Sequence, residues 1–295
     1  MPELPEVETI RRRLEEKVIG RRIERAVVRL GKIIIHPSTR EFQRAVRGEQ
    51  IQGIKRRGKY LIFETPKTRI VVHLGMTGQL TFWDKNRADD REFQVHPLTG
   101  LQRARQHSVD KHTHITLFFR DGNALHYRDI RQFGKWRLYR RGEFEKSGFL
   151  DRLGLEPFTP GYCWNAFQLQ LEGRHRCVKT LLLDQAFVAG VGNIYADEAL
   201  FEARIHPEAP ASSLSQGEQK RLFHAILRVL ERGLENNGTT IRDFVDPDGE
   251  EGGNQEFLQV YGRKGDNCLH CGTAIQRVVI SQRSSHFCPH CQPAQ

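Results

Sequence analysis

Residues 268–291 read CLHCGTAIQRVVISQRSSHFCPHC, two CxxC pairs with sixteen residues between them. Each pair can form one side of a tetrahedral thiolate site, and four thiolates leave no position open for water. The spacing therefore predicts one structural zinc ion held by Cys268, Cys271, Cys288 and Cys291. His270 and His290 are the weaker ligand candidates, because the symmetry of the CxxC pairs already supplies four donors. Between the pairs, AIQRVVISQRSSHF reads as a β-hairpin, and Arg263, Lys264, Arg277 and Arg283 would give such an element a basic face. These four cysteines are among six in the 295-residue chain and fall within its last 28 positions. A disulfide framework would be spread along the chain instead. Cys163 and Cys177 are expected to be ordinary buried thiols.

Upstream of this tail the chain changes period twice. Val7, Ile10, Leu14 and Val18 fall on one face of a helix over residues 6–19, with Gly20 at its C-terminal cap. ERAVVRL, KYLIFE, RIVVHL, QLTFW, HITLFF, ALHYRD and GKWRLYR then read as strands, interrupted by a short helix at STREFQRAV. Residues 84–111 are polar and charged, and read as a surface loop. From residue 162 onward CWNAFQLQLEG, VKTLLLDQ and NIYADEALFEA read as helices. Ser215 to Glu218 form a capping box that opens a helix burying Leu222, Ile226, Val229 and Leu230. Lys and Arg number 46 against 36 Asp and Glu, a net charge of +10 that points to a polyanionic partner. There is no run of 18 apolar residues and no basic start followed by an apolar stretch. A membrane span and a secretory signal are thus not expected, and a soluble cytoplasmic protein is.

The chain opens MPELPEVETI. Initiator methionine is ordinarily removed before proline, which would leave Pro2 as a secondary amine. Free α-amino groups titrate near about 7.7–8.0, so part of the population is nucleophilic at neutral pH. Glu3 beside it could act as a general acid. From spacing alone the same residues also read as a helix entry, with prolines setting the turn and acids favouring the dipole.

The opening PELPEVET resembles that of the bacterial formamidopyrimidine-DNA glycosylases. So do RRGKYL (56–61), HLGMTGQL (73–80), DIRQFGKW (129–136), GVGNIYADEAL (190–200), GTT (238–240) and VYGRKGDNC (260–268), in order. The resemblance runs from residue 2 to residue 291. It implies an α+β multidomain fold: an N-terminal catalytic β-sandwich with a leading helix (1–155), a helix–two-turn–helix domain (156–250) and a zinc-finger hairpin (251–295). It also implies a base-excision repair enzyme that removes 8-oxoguanine and formamidopyrimidines from double-stranded DNA and then cuts the strand by β,δ-elimination. Its architecture would place DNA in a basic cleft, and a bacterial monomer, nucleoid-associated when on DNA, is expected.

By the same resemblance Pro2 is the nucleophile, Glu3 assists, and Lys59 serves near the phosphate and the proton-transfer path. Arg263 is counted with this catalytic set, gripping phosphate from the zinc element. Met76, Arg131 and Phe133 would fill the space left by an extruded base, two as apolar wedges and one as a guanidinium for the orphaned partner. His112, Arg174, Asn193 and Lys179 would contact DNA, and residues 238–256 would form the loop that closes over the extruded base. Two positions depart from the family pattern. Thr113 stands where His-Asp-His is common, which removes a carboxylate, and Gln132 replaces a basic residue. The alternatives are an endonuclease VIII-type enzyme for oxidised pyrimidines, against which Leu4 speaks, and a zinc-containing DNA-binding protein without catalysis.

Overall fold

The computed structural model describes residues 1–86 and 109–294. Residues 87–108, the bulk of the polar segment read as a surface loop, lie outside them. The chain divides into two compact units: Met1–Pro2, Glu6–Gly148 and Thr240–Gly252 form the first, and Glu3–Pro5, Phe149–Thr239 and Gly253–Gln295 the second.

In the first unit, helix α1 (Leu4–Val18) precedes strands β1 (Ile23–Val28) and β2 (Ile34–His36), helix α2 (Thr39–Val46) and strands β3 (Gly53–Arg57) to β6. These are β4 (Tyr60–Glu64), β5 (Thr68–His73) and β6 (Gly78–Trp83); β7 (Thr113–Phe119), β8 (Ala124–Asp129), β9 (Lys135–Arg140) and a short α3 (Glu143–Lys146) follow. One sheet runs β1-β7-β8-β6 and the other β2-β9-β5-β4-β3, antiparallel except for the β2–β9 pair. A single apolar cluster joins them. Ile23, Leu117, Leu125 and Tyr127 from the first sheet meet Leu61, Phe63, Ile70, Val72 and Trp136 from the second. The stripe Val7, Ile10, Leu14 and Val18 of α1 closes that cluster, each residue essentially without exposed surface. This is the sandwich and leading helix the sequence predicts. The helix ends as expected at Gly20, in the left-handed region at φ 81°.

Within the same unit, residues 240–252 are held by named contacts. Phe82 N–H donates to the Pro247 carbonyl at 3.0 Å and the Gln79 amide to the Asp243 carbonyl at 2.6 Å. Lys17 pairs with Asp248 at 2.7 Å, and Phe244 enters the apolar cluster.

The second unit contains α4 (Trp164–Leu171), α5 (Val178–Leu183), α6 (Asn193–Ala203) and α7 (Gln216–Glu235), then the hairpin β10 (Gln276–Ile280) and β11 (Arg283–Phe287). The capping box forms as read: Ser215 Oγ accepts the Glu218 N–H while Glu218 accepts the Ser215 N–H. All four apolar residues read onto one face of α7 are buried. The hairpin turns through Ser281 and Gln282, both at positive φ, the backbone of a two-residue type I′ turn. One expectation is corrected. Cys163 is exposed, because it occupies the N-cap position of α4, outside the packed face; Cys177 is only half-buried.

Candidate functional site

Glu3 is 3% exposed. Its carboxylate closes the start of α6, accepting the backbone N–H groups of Gly192 at 2.6 Å, Ile194 at 2.9 Å and Tyr195 at 3.4 Å. A helix start offers these unpaired donors to an anion, and Glu3, the first acidic residue of the chain, takes them. Both glycines of Gly190-Val-Gly192 follow from this approach. A Cβ at Gly192 would lie 2.4 Å from the Glu3 carboxyl carbon, and one at Gly190, where φ is 94°, would lie 2.7 Å from Leu4. Gly192→Ala is therefore expected to displace Glu3. The cost is about 1–3 kcal/mol of strain, read as a lower melting temperature together with a slower reaction.

Helix α6 carries two further buried carboxylates. Glu198 accepts the N–H groups of Gln259, Val260 and Tyr261, each at 2.9 Å, and so fixes the chain entering the zinc element. Burial raises the Glu198 carboxyl above the usual range, against those three bonds. Asp197 accepts from the N–H of His286 at 2.9 Å and pairs with Lys179. Lys179, expected among the DNA contacts, is buried in an internal ion pair. Its side chain is 0% exposed, and its ammonium is enclosed by Asp197 and the Ser284 carbonyl, the latter at 2.7 Å. Burial pulls its pKa down despite the Asp197 charge. It joins α5 and α6 to β11.

Asn193 is the first residue of α6, with Gly192 as the N-cap. Its amide donates to Ser284 O at 3.0 Å, while its Oδ1 is buried without a partner among the described residues. Arg174 is half-buried after the left-handed Gly173 that ends α4. Arg263 spans its own loop, donating to the carbonyls of Gln259 at 2.9 Å and Asn267 at 3.0 Å and approaching Asp266.

The four cysteine sulfurs lie within 4.8 Å of one another, Cys271 and Cys288 at 3.4 Å and Cys268 and Cys291 at 4.0 Å. Four ligands at about 2.3 Å around a tetrahedral zinc would stand about 3.8 Å apart. The donor set fits that ion, and no histidine is needed to complete it.

In the first unit Lys59 is buried at the tip of the β3–β4 hairpin, after Gly58 at φ 53°. The hairpin is braced by Arg56, which bonds both Glu8 of α1 and the Gly58 carbonyl. His73 opens the HLGMTG segment and accepts the Gly75 N–H through Nδ1 at 3.1 Å. Burial, with the charges of Lys59, Lys135 and Arg137, lowers it to about 4, so it is neutral at pH 7. Met76 is half-buried, Arg131 is exposed, and Phe133 is 51% exposed with the Arg131 guanidinium 4.9 Å from its ring centre. Gln132 between them takes a left-handed backbone at φ 59°.

His112 sits on a turn built by Asp110, whose Oδ1 accepts the His112 N–H at 2.9 Å and the Thr113 hydroxyl at 3.0 Å. Asp110 Oδ2 accepts from Arg128 at 2.9 Å. Burial opposes ionisation of Asp110, and the Arg128 guanidinium overrides it, holding the carboxyl below its usual range. A carboxylate thus stands beside Thr113 after all, supplied from three positions earlier.

Family models match the chain in three successive stretches. The formamidopyrimidine-DNA glycosylase N-terminal domain matches residues 1–136, the H2TH domain of the same glycosylase 153–245, and the zinc finger found in FPG and IleRS 265–294. The formamidopyrimidine-DNA glycosylase of Bacillus cereus is 40% identical over 294 residues, 99% of either chain. The chain belongs to the formamidopyrimidine-DNA glycosylase family. Two solved structures agree with this. Lactococcus lactis Fpg in complex with DNA containing an abasic site has a TM-score of 0.86 at 33% identity, over 99% of this chain and 100% of that one. MutM in complex with DNA containing carbocyclic 8-oxo-G has a TM-score of 0.86 at 34% identity and the same coverage.

In this member of the family, the first unit carries Pro2, Lys59, Met76, His112, Arg131 and Phe133, and the second carries Glu3, Arg174, Asn193, Lys179, Arg263 and the four cysteines. Asp110, Asp129, Asp197 and Glu198 went unnoticed in the sequence. Their signal would have been acidic residues inside otherwise apolar or glycine-marked motifs, where only burial with a partner is affordable. Among the described residues no helix is long and apolar enough to cross a membrane.

Proposed function

We propose that the chain is a bifunctional DNA glycosylase and abasic-site lyase that excises oxidised purines, 8-oxoguanine and formamidopyrimidines, from double-stranded DNA. The observation that supports this best is the full-length likeness to the Bacillus cereus glycosylase, with the three family stretches in order. Structural relatives holding abasic-site and 8-oxo-G DNA favour the same substrates over oxidised pyrimidines.

In this reading Pro2, freed by loss of Met1, uses its nitrogen lone pair to attack C1′ of the damaged nucleotide. The C1′–N9 bond breaks and the base leaves with its electrons. Glu3 is the group nearest in sequence to move a proton in this step, and its fixed bonds to α6 hold it in place for that. The C1′–O4′ bond then breaks, its electrons and a proton going to O4′, and the opened sugar is held as a C1′–Pro2 iminium that acidifies C2′–H. Loss of that proton expels the 3′ phosphate, and a second elimination expels the 5′ phosphate. Lys59 serves the phosphate and proton-transfer path. Met76, Arg131 and Phe133 fill the vacated stack, repaying an extrusion cost of a few kcal/mol. His112, Arg174, Asn193 and Arg263 hold the backbone. Zinc, on the four thiolates, supplies no chemistry to the reaction and orders the β10–β11 hairpin. The enzyme acts as a monomer in the bacterial cytoplasm, on nucleoid DNA.

The test is cleavage of a duplex bearing 8-oxoguanine opposite cytosine, compared with thymine glycol in the same sequence. Faster excision of 8-oxoguanine is expected. Preference for thymine glycol would instead support the endonuclease VIII-type activity, and excision of neither would leave a DNA-binding protein.

A further inference from the structure

Asp129 closes β8 and is 0% exposed, yet its interactions reach the two loops that carry Met76, Arg131 and Phe133. Its Oδ1 accepts the Thr77 hydroxyl at 2.6 Å, one residue from Met76. Its Oδ2 accepts the Gly134 N–H at 2.8 Å, one residue from Phe133, and the Tyr127 hydroxyl at 3.0 Å. Thr77 Oγ in turn accepts the Arg131 N–H at 3.0 Å. The main chain of Asp129 adds a third element. Its N–H donates to the His112 carbonyl at 3.0 Å, and its carbonyl accepts from His114 Nε2 at 2.8 Å.

The two loops are also pressed together at their backbones. A Cβ on Gly75, at φ 70°, would lie 2.7 Å from the Gly134 nitrogen and 2.7 Å from the Phe133 carbonyl carbon. A Cβ on Gly134 would lie 1.6 Å from the Tyr127 hydroxyl. Ladder pairs fix the ends of the two loops, His73 to Lys135 and Gly78 to Asp129, and between those ends the carboxylate ties one loop to the other. A buried carboxylate is a poor way to gain stability, since apolar packing of the same volume does as well or better. What it provides is one geometry, because Oδ1 takes its donor from the Met76 loop and Oδ2 takes Gly134 N–H from the Arg131–Phe133 loop, so the full set forms only when both loops stand in one register.

We propose that Asp129 is the positioning residue that locks the Met76 loop to the Arg131–Phe133 loop, so that the three tips enter DNA as a single wedge. This rests on the reading of those residues as the groups that fill the space of the extruded base. Asp129 touches no reacting atom; it acts through Thr77 and Gly134.

The test compares two single-turnover rates for the wild type and Asp129→Asn. One is excision of 8-oxoguanine from a duplex, which requires extrusion; the other is cleavage at a preformed abasic site in a single strand, which does not. The expected result is a 10- to 100-fold loss in the first and less than a threefold change in the second, with reduced unstacking of 2-aminopurine placed beside the lesion. Asn turns an N–H group toward donors that need an acceptor, so a partial fold is a risk. Thr77→Val, which removes one strut and leaves the carboxylate, repeats the comparison, and Thr77→Ser should restore the wild-type ratio. Equal loss of both rates, or no change in either, overturns the proposal. If the wild type itself does neither reaction, the glycosylase reading fails and not the role of Asp129.

Discussion

Glu3→Gln is expected to slow excision of 8-oxoguanine by about 10²–10⁴-fold, the usual worth of a positioned general acid or base. The substitution keeps an oxygen that can accept from Gly192 or Ile194, so the first turn of α6 stays capped in part. Losing the charge at a helix start costs only about 0.3–1 kcal/mol, up to about 2 when partly buried. A large kinetic effect beside a small stability effect is the signature expected. Strand cleavage at a preformed abasic site should fall much less, because no base has to leave there. Retention of excision within tenfold would show that the carboxylate serves only to cap the helix.

The second large effect concerns zinc. The four thiolates should bind one zinc ion per chain, and Cys288→Ser should abolish that stoichiometry in elemental analysis. Structural zinc contributes about 10–16 kcal/mol of apparent binding energy to small finger peptides, which the β10–β11 hairpin cannot replace with its few buried residues. Loss of the hairpin's order frees more than the hairpin. The Ser284 carbonyl and His286 hold Lys179, Asn193 and Asp197, so α5 and α6 would lose polar partners inside the second unit. Affinity for lesion DNA should fall on the order of 100-fold, equivalent to losing one or two charged hydrogen bonds of about 1.5–3 kcal/mol each. A zinc-free variant that binds DNA as tightly as the wild type would remove the hairpin from the interface.

Much of this organisation is legible in the sequence because simple periodicities carry it. The α1 stripe, the alternating strands, the capping box at Ser215 and the paired CxxC motifs each depend on neighbours a few residues apart. Strand β3 was not legible. GIKRR has one apolar residue, and it forms only because it pairs along one edge of β4. Three-residue β2 was likewise hidden, since a parallel pairing with β9 leaves no local signature. The site shows the same division. Glu3 stands out by its position, but its seat on α6 is 189 residues away and no local pattern predicts it. Lys179 reads in the sequence as one more basic residue in a basic chain. Only its partners, 18 and 105 residues distant, reveal an internal ion pair. Asp129 is similar: an acid at a strand end reads as a solvated turn until both loops are seen to converge on it.

The central claim is that the nitrogen of Pro2 bonds to C1′ of the damaged nucleotide. Borohydride reduction during the reaction with 8-oxoguanine duplex, followed by digestion and mass spectrometry of the trapped peptide, tests it directly. The expected product is an N-terminal peptide lacking Met1, with the reduced sugar on the nitrogen of Pro2. An adduct on a lysine, or excision by protein that still carries Met1, would contradict it.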